Sequence, residues 1–142
     1  LKAPCDQWIE EAGGFYFMMI FNFPIDPVPK GRPRFSRGKV YTPPKTKEFE
    51  KLVRKMASEQ YRNGPLRDAV SMTVVFIIKK PKSVKREYPT VKSDLDNYIK
   101  SLCDALNGIA FVDDSQIIEI NASKKYGPVG GIFVDIKSYL HH

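Results

Sequence analysis

Cysteine and histidine are scarce in this chain of 142 residues, with two of each. Two thiols cannot build a disulfide framework, so a small stapled secreted scaffold is excluded. The two histidines are the terminal pair His141-His142, so a closed structural zinc site lacks soft ligands. Long apolar runs are missing as well. The longest extends only from Phe15 to Phe23 and is broken by Tyr16 and Asn22, whereas a membrane-spanning helix needs about 20 apolar residues. No secretory leader is legible, and the expectation is a soluble cytoplasmic protein in a reducing compartment. The chain opens on Leu1, so an initiator Met is expected to precede it. No internal repeat, low-complexity tract or interdomain linker breaks the pattern, and the length is that of one domain. At 42% hydrophobic the chain can bury a core.

Charge is unevenly distributed. Lys and Arg total 23 against 16 Asp and Glu, a net +7. Between residues 93 and 119, however, Asp94, Asp96, Asp104, Asp113, Asp114 and Glu119 stand against Lys100 alone, a local −5 that leaves +12 on the rest. A strongly basic body points to a polyanion, most often nucleic acid. The acidic window would repel that same polyanion unless something neutralises it, and a divalent cation is the simplest neutraliser.

The pattern along the chain is that of one α+β domain, a mostly antiparallel or mixed sheet carrying about two main helices. Phe15 to Phe23 reads as a buried strand, ended by Pro24, Pro27, Pro29 and Gly31. Residues 32–41 read as a small hairpin turning near Gly38. A helix follows Pro43-Pro44, with Phe49, Leu52, Val53 and Met56 as its apolar stripe and Gly64-Pro65 as its stop. Val70 to Ile78 is a second central-looking strand, and a basic, proline-punctuated loop runs from Lys79 to Lys92. A second helix is expected from near Asp94 to Gly108, then an alternating strand from Ile117 to Lys124, a turn at Gly127 to Gly131 and a last strand through Ile132, Val134 and Ile136. Residues 1–14 are read as a loose N-terminal extension and 15–140 as the domain proper. Cys103 falls in a core position, while Cys5 lies in the extension and is a candidate exposed thiol.

At about 100° per residue, the second helix carries Leu95, Ile99, Leu102, Cys103 and Leu106 on one stripe. Asp96, Asn97, Lys100, Asp104 and Asn107 fall opposite, and Asp94 sits at the entrance. Each acidic site has an ordinary explanation taken alone. Asp at a helix N-terminus is a common cap, Asp96 or Asp104 with Lys100 a common surface pair, and Asp113-Asp114-Ser115 common turn chemistry. Taken together they suggest more. If the strand starting at Ile117 lies beside the strand that feeds the helix, Asp113-Asp114 return near the helix N-terminus and three or four carboxylates converge. Such a cluster needs a proton or a cation. With no His or Cys in the set, Mg²⁺ fits, with Mn²⁺ as a substitute, and Zn²⁺ does not.

At these residues the chain resembles a known family. Lys92-Ser93-Asp94-Leu95-Asp96-Asn97 through Lys100, then Asp104-Ala105-Leu106-Asn107-Gly108, then Asp113-Asp114-Ser115-Gln116-Ile117 is similar to the signature of the RusA family of Holliday-junction resolvases. Pro29-Lys30-Gly31-Arg32-Pro33-Arg34-Phe35 and Tyr41-Thr42-Pro43 resemble the start of its phage and prophage members. The likeness extends over residues 16–137. Tyr98 stands where an aliphatic residue is common, and Ser93 where a basic residue or Pro often precedes the first Asp. The resemblance implies a homodimeric, Mg²⁺-dependent endodeoxyribonuclease of bacterial or phage origin that cuts four-way DNA junctions with paired nicks. It implies Asp94, Asp96 and Asp114 as metal-binding carboxylates, Asp113 as a helper or alternative ligand, and Lys100 as the catalytic lysine.

Two basic segments complete a DNA-binding reading: Lys30, Arg32, Arg34, Arg37 and Lys39 at the hairpin, and Lys79, Lys80, Lys82, Lys85, Arg86 and Lys92 before the second helix. Phosphate contacts of this kind give affinity with little sequence information. Phe35 and Tyr41 either stack on bases at an opened branch point or pack the hairpin, and packing is the favoured expectation. Two alternatives stay open: a non-enzymatic nucleic-acid-binding module whose acids are caps and turns, and a related metal nuclease acting on flaps or other branched DNA.

Overall fold

Alternation along three apolar strands decides which face of the sheet is covered. In the computed structural model, which describes residues 6–11 and 14–139, β1 is Asp6–Glu11, β2 is Gly14–Phe23, β3 is Arg34–Ser36 and β4 is Lys39–Tyr41. Helix α1 spans Pro44–Gln60, β5 spans Val70–Lys79 and α2 spans Leu95–Leu106. After a 3₁₀ turn at Asp114–Gln116 come β6 at Ile117–Gly127 and β7 at Gly131–Tyr139. Met19, Phe21 and Phe23 of β2, Met72, Val74 and Phe76 of β5, and Ile132, Val134 and Ile136 of β7 all bury on one face. Directly paired residues such as Phe21 and Val134 project to the same side. Both helices lie against that face, and Phe49, Val53 and Ala57 of α1 and Leu102, Cys103 and Leu106 of α2 complete one core.

Five of the seven strands form one sheet in the order β1-β2-β7-β5-β6, and β3 and β4 pair separately. All neighbours are antiparallel except β5 and β6, which are parallel and joined through α2. Parallel neighbours require such a crossover, and it turns α2 back along the sheet. The expected single α+β domain with a mixed sheet and two helices is therefore present. No helix among the described residues is long and apolar enough to cross a membrane.

Several local expectations need correction. Phe15 to Phe23 is not buried on both sides: Ile20 is 46% exposed, as is Phe133 beside it on β7. This sheet face carries no helix, so the strand alternates although its sequence is almost uniformly apolar. In α1 the buried stripe is Thr46, Phe49, Val53 and Ala57, and Leu52 faces outward at 43% exposure. On β6, Ile120 and Ala122 pair with the core-facing Met72 and Val74. Ile118 leaves their face because the register shifts at the Val70/Ser71 step, and it is exposed. Residues 6–11, expected as loose, form an edge strand whose Trp8 ring meets Phe17 edge-on at 5.3 Å. Cys5, His141 and His142 lie outside the described residues.

Candidate active site

Helix α2 carries the acidic window, and its packing explains why the polar stripe is displayed. Tyr98, Ser101, Leu102, Cys103, Ala105 and Leu106 are buried, a stripe wider than Leu and Ile spacing alone suggests. Tyr98 stacks on Phe76 of β5 at 5.4 Å. Cys103 has its thiol pushed up to about 12 by desolvation, with Asp114 and Asp104 adding to the effect, so it is an inert core residue. Asp96, Asn97 and Lys100 remain exposed on the other side, with Asp104 half-buried.

The two ends of α2 are fixed by cations that the sequence does not advertise. Lys124 of β6 donates to the carbonyls of Val91 and Ser93, at 3.1 and 3.0 Å, just before Asp94. A signal for it existed, since Lys124 shares the strand phase of Ile120 and Ala122 and pairs with the buried Phe76. Arg54 of α1 donates to the carbonyls of Ala105 and Asn107, at 3.1 and 2.8 Å, where the helix leaves its last acceptors without intrahelical partners. Gly108 follows with φ +83°. Its N–H donates to Phe111, and the Val112 N–H donates to Leu66. The acidic turn thus hangs from the C-terminal end of α2.

In that turn Asp113 and Asp114 have different roles. Asp113 caps it: its carboxylate accepts from the Ser115 N–H at 3.0 Å while the Gln116 side chain accepts from the Asp113 N–H at 2.9 Å. The Ser115 hydrogen bonds hold the Asp113 carboxyl below its usual range. Asp114 instead faces α2, with its Oδ2 3.8 Å from Lys100 Nζ. Lys100 Nζ also lies 3.2 Å from Asp104 Oδ1. The hydrogen bond and charge of Asp104 raise the Lys100 ammonium above its ordinary pKa, with Asp114 contributing less.

Lys100 is the residue of α2 that Asp114 meets through an ion pair. The parallel β5–β6 pairing, joined through α2, brings the acidic turn up against Lys100 and its partner Asp104. Asp94 occupies the N-cap position without a side-chain capping hydrogen bond, and Asp96 lies in the first turn. Asp96 is one turn before Lys100, roughly 6 Å along the axis. Among the described residues no three His, Cys, Asp or Glu side chains come together in a group that could hold a metal ion. The donor chemistry of the acidic residues suits a hard dication, being carboxylate oxygen throughout.

The basic segments divide. Lys30 does not face outward as a phosphate contact: its Nζ lies 2.6 Å from Glu50 and 3.0 Å from Asp104. Partial burial works against its charge, yet the hydrogen bonds to both acids raise its pKa overall. Arg32, Arg34, Arg37 and Lys39 are exposed, as are Lys79, Lys80, Lys82, Lys85, Arg86 and Lys92. Arg86 donates to the Tyr126 hydroxyl at 3.1 Å, and Lys80 stands 5.8 Å over the same ring, which ties their loop to β6. The β3–β4 hairpin turns through Arg37 and Gly38, both with positive φ, as a two-residue turn of the primed type requires. Packing does not explain its aromatics, because Phe35 is 79% and Tyr41 42% exposed.

Two comparisons bear on this arrangement. The family profile described as Endodeoxyribonuclease RusA matches residues 24–137. A protein of Bacillus subtilis (strain 168), YqaN, described as uncharacterized, is 39% identical over 117 residues, covering 71% of this chain and 82% of its own. The matched span includes the hairpin, α1, the basic loop, α2, the acidic turn and most of β7, and it leaves β1 and β2 outside.

Proposed function

The chain belongs to the RusA endodeoxyribonuclease family, and from that premise we propose that it resolves four-way DNA junctions by paired symmetric nicks, leaving 5′-phosphate and 3′-hydroxyl ends. The observation that carries this reading is Lys100 between Asp104 and Asp114, a cation and carboxylates from two elements on one exposed surface. Lys100, which is 57% exposed, supplies a charged donor for negative charge developing on a phosphate. Asp94, Asp96 and Asp114 would hold Mg²⁺, or Mn²⁺ in its place, with Asp113 as the helper. When bound, the ion would neutralise charge at phosphorus and activate water. The Asp94 side chain, free of a capping bond, is available to turn toward such an ion.

Arg32, Arg34, Arg37 and Lys39 on the hairpin, with Lys79, Lys80, Lys82, Lys85, Arg86 and Lys92 on the loop, would grip phosphates flanking the cut. The exposed Phe35 and Tyr41 would stack on bases at the branch point. Paired nicks need two sites related by symmetry, which a homodimer supplies. The helix-free sheet face, with Ile20 and Phe133 exposed, supports a second copy there. The proposed location is the cytoplasm of a bacterium, from a host or phage gene.

The test is a substrate panel of four-way junction, fork, flap and linear duplex, run with Mg²⁺ and with EDTA. Symmetric nicks in the junction, with Mg²⁺ only, are expected. Flap cleavage in preference to junctions would favour a different branched-DNA nuclease. Metal-independent binding without nicking would leave only a binding module. For the grip itself, Arg32→Gln with Arg34→Gln should weaken junction binding and flatten the log–log salt dependence by about 0.9 per lost phosphate contact. Affinity titrations at several salt concentrations read both, and an unchanged slope removes the hairpin from the DNA surface.

A further inference from the structure

Lys30 lies in a basic segment, yet its surroundings are those of a residue turned inward. Five charged groups from four parts of the chain alternate in sign: Glu50 of α1, Lys30 of the β2–β3 connection, Asp104 and Lys100 of α2, and Asp114 of the acidic turn. Successive separations are 2.6, 3.0, 3.2 and 3.8 Å. Asp104 sits at the middle with both oxygens engaged, Oδ2 on Lys30 and Oδ1 on Lys100. The side chains of Glu50, Lys30 and Asp104 are each less than a quarter exposed, so solvent screens this part of the ladder less than a surface pair.

The backbone beneath Lys30 is fixed from two sides. Its N–H donates to the Asn97 carbonyl of α2 at 2.9 Å. The next N–H, that of Gly31, donates to Thr46 Oγ1 of α1 at 3.1 Å. A Cβ at residue 31 would come within 2.7 Å of Pro43, so only glycine lets the chain pass this close. The Lys30 ammonium is thus delivered to one place between the helices. A phosphate approaching it would meet Glu50 and Asp104 as well, which makes Lys30 a poor DNA contact.

We infer that Lys30 is a positioning residue: through Asp104 it sets where the Lys100 ammonium stands beside Asp114. Without Lys30, the Asp104 carboxylate is free to turn both oxygens onto Lys100 and draw it off Asp114. The catalytic consequence rests on the nuclease reading above, whereas the geometric one does not.

The experiment pairs kinetics with structure. Lys30→Met should lower the single-turnover junction cleavage rate ten- to a hundredfold, an effect of roughly the size that small misplacements of reacting groups produce. Junction affinity measured in Ca²⁺ and its salt slope should not move. Lys30→Arg should recover most of the rate. In an Asp104→Asn background, Lys30→Met should cost less than about twofold more, because groups acting through one another are not additive. A purely structural tie would lower the unfolding temperature of Lys30→Met and leave its rate at a permissive temperature unchanged. That result overturns the inference, as do weakened binding with a flatter salt slope, or losses that multiply with Asp104→Asn. Should Lys30→Met not fold, Lys30→Gln takes its place. If the wild-type protein cleaves none of the branched substrates, the nuclease reading fails by itself. Crystal structures then decide the inference: Lys100 Nζ should leave Asp114 in Lys30→Met and keep its place in Lys30→Arg, and an unmoved Lys100 in Lys30→Met overturns it.

Discussion

Asp114→Asn should abolish most junction cleavage, by at least a hundredfold, while junction binding survives. The substitution keeps shape and removes charge. The turn that carries residue 114 is held by Asp113, Ser115 and Gln116, and Gln116 is tied in turn to the carbonyls of Leu66 and Asp68 at 2.9 Å each. None of those bonds uses the Asp114 side chain, so the backbone should stay in place. What disappears is the carboxylate facing Lys100 and an anionic oxygen for a dication. Loss of a single preorganised electrostatic group of this kind typically costs 10²–10³ in rate. The proposed phosphate-gripping residues are elsewhere, on the hairpin and the basic loop, so affinity should hold or rise slightly as a negative charge leaves. Single-turnover cleavage of a labelled four-way junction and a gel-shift titration measure the two quantities. Mg²⁺-dependent cutting at the wild-type rate would remove Asp114 from the mechanism. Asp113→Asn separates helper from ligand: its amide oxygen can still accept from Ser115, so its loss should be clearly the smaller one. The reverse order would exchange their roles.

The buried face of α2 and the acidic window are legible because they depend on local periodicity. Leu102, Cys103 and Leu106 bury as their spacing requires, and the hairpin turns where Gly38 permits. What was not legible depends on partners remote in sequence. Asp113-Asp114 could be assigned to a turn before a strand, but their point of contact follows from β5 and β6 being parallel neighbours, which periodicity does not determine. Lys30 has the same composition signature as Arg32 and Arg34, and only Glu50 and Asp104, 20 and 74 positions onward, distinguish it. Leu52 was misassigned for a related reason. The face of α1 that meets the sheet is set by α2 beside it, so Thr46, which bonds Gly31, is buried while a leucine is left outside. Phe35 shows the converse: a hairpin of three-residue strands has too little surface to bury its own aromatic, whatever its hydropathy.

The link between core and site is most exposed to test at Phe111. This side chain is fully buried in the short connection between α2 and the acidic turn. Its neighbours in the backbone bind the connection to Leu66 on one side and to the end of α2 on the other: Leu66 N–H to Ala110 O at 2.9 Å, Val112 N–H to Leu66 O at 3.1 Å and Gly108 N–H to Phe111 O at 2.7 Å. Phe111→Ala should therefore cost about 3–5 kcal/mol, the usual range for emptying a buried aromatic site. That is a large fraction of the roughly 5–15 kcal/mol that holds a domain together. Urea unfolding should show it as a lower midpoint, with Val112→Ala, next to it but 46% exposed, staying within about 0.5 kcal/mol of wild type. The functional consequence should exceed the stability loss. At a temperature where the variant remains folded, an emptied Phe111 site loosens the two residues that lead to Asp113, and Asp114 loses its fixed approach to Lys100. Cleavage should fall with junction affinity intact, since hairpin and basic loop are attached elsewhere. A folded Phe111→Ala protein with undiminished cleavage would mean that the acidic turn holds its place through Asp113 and Gln116 alone.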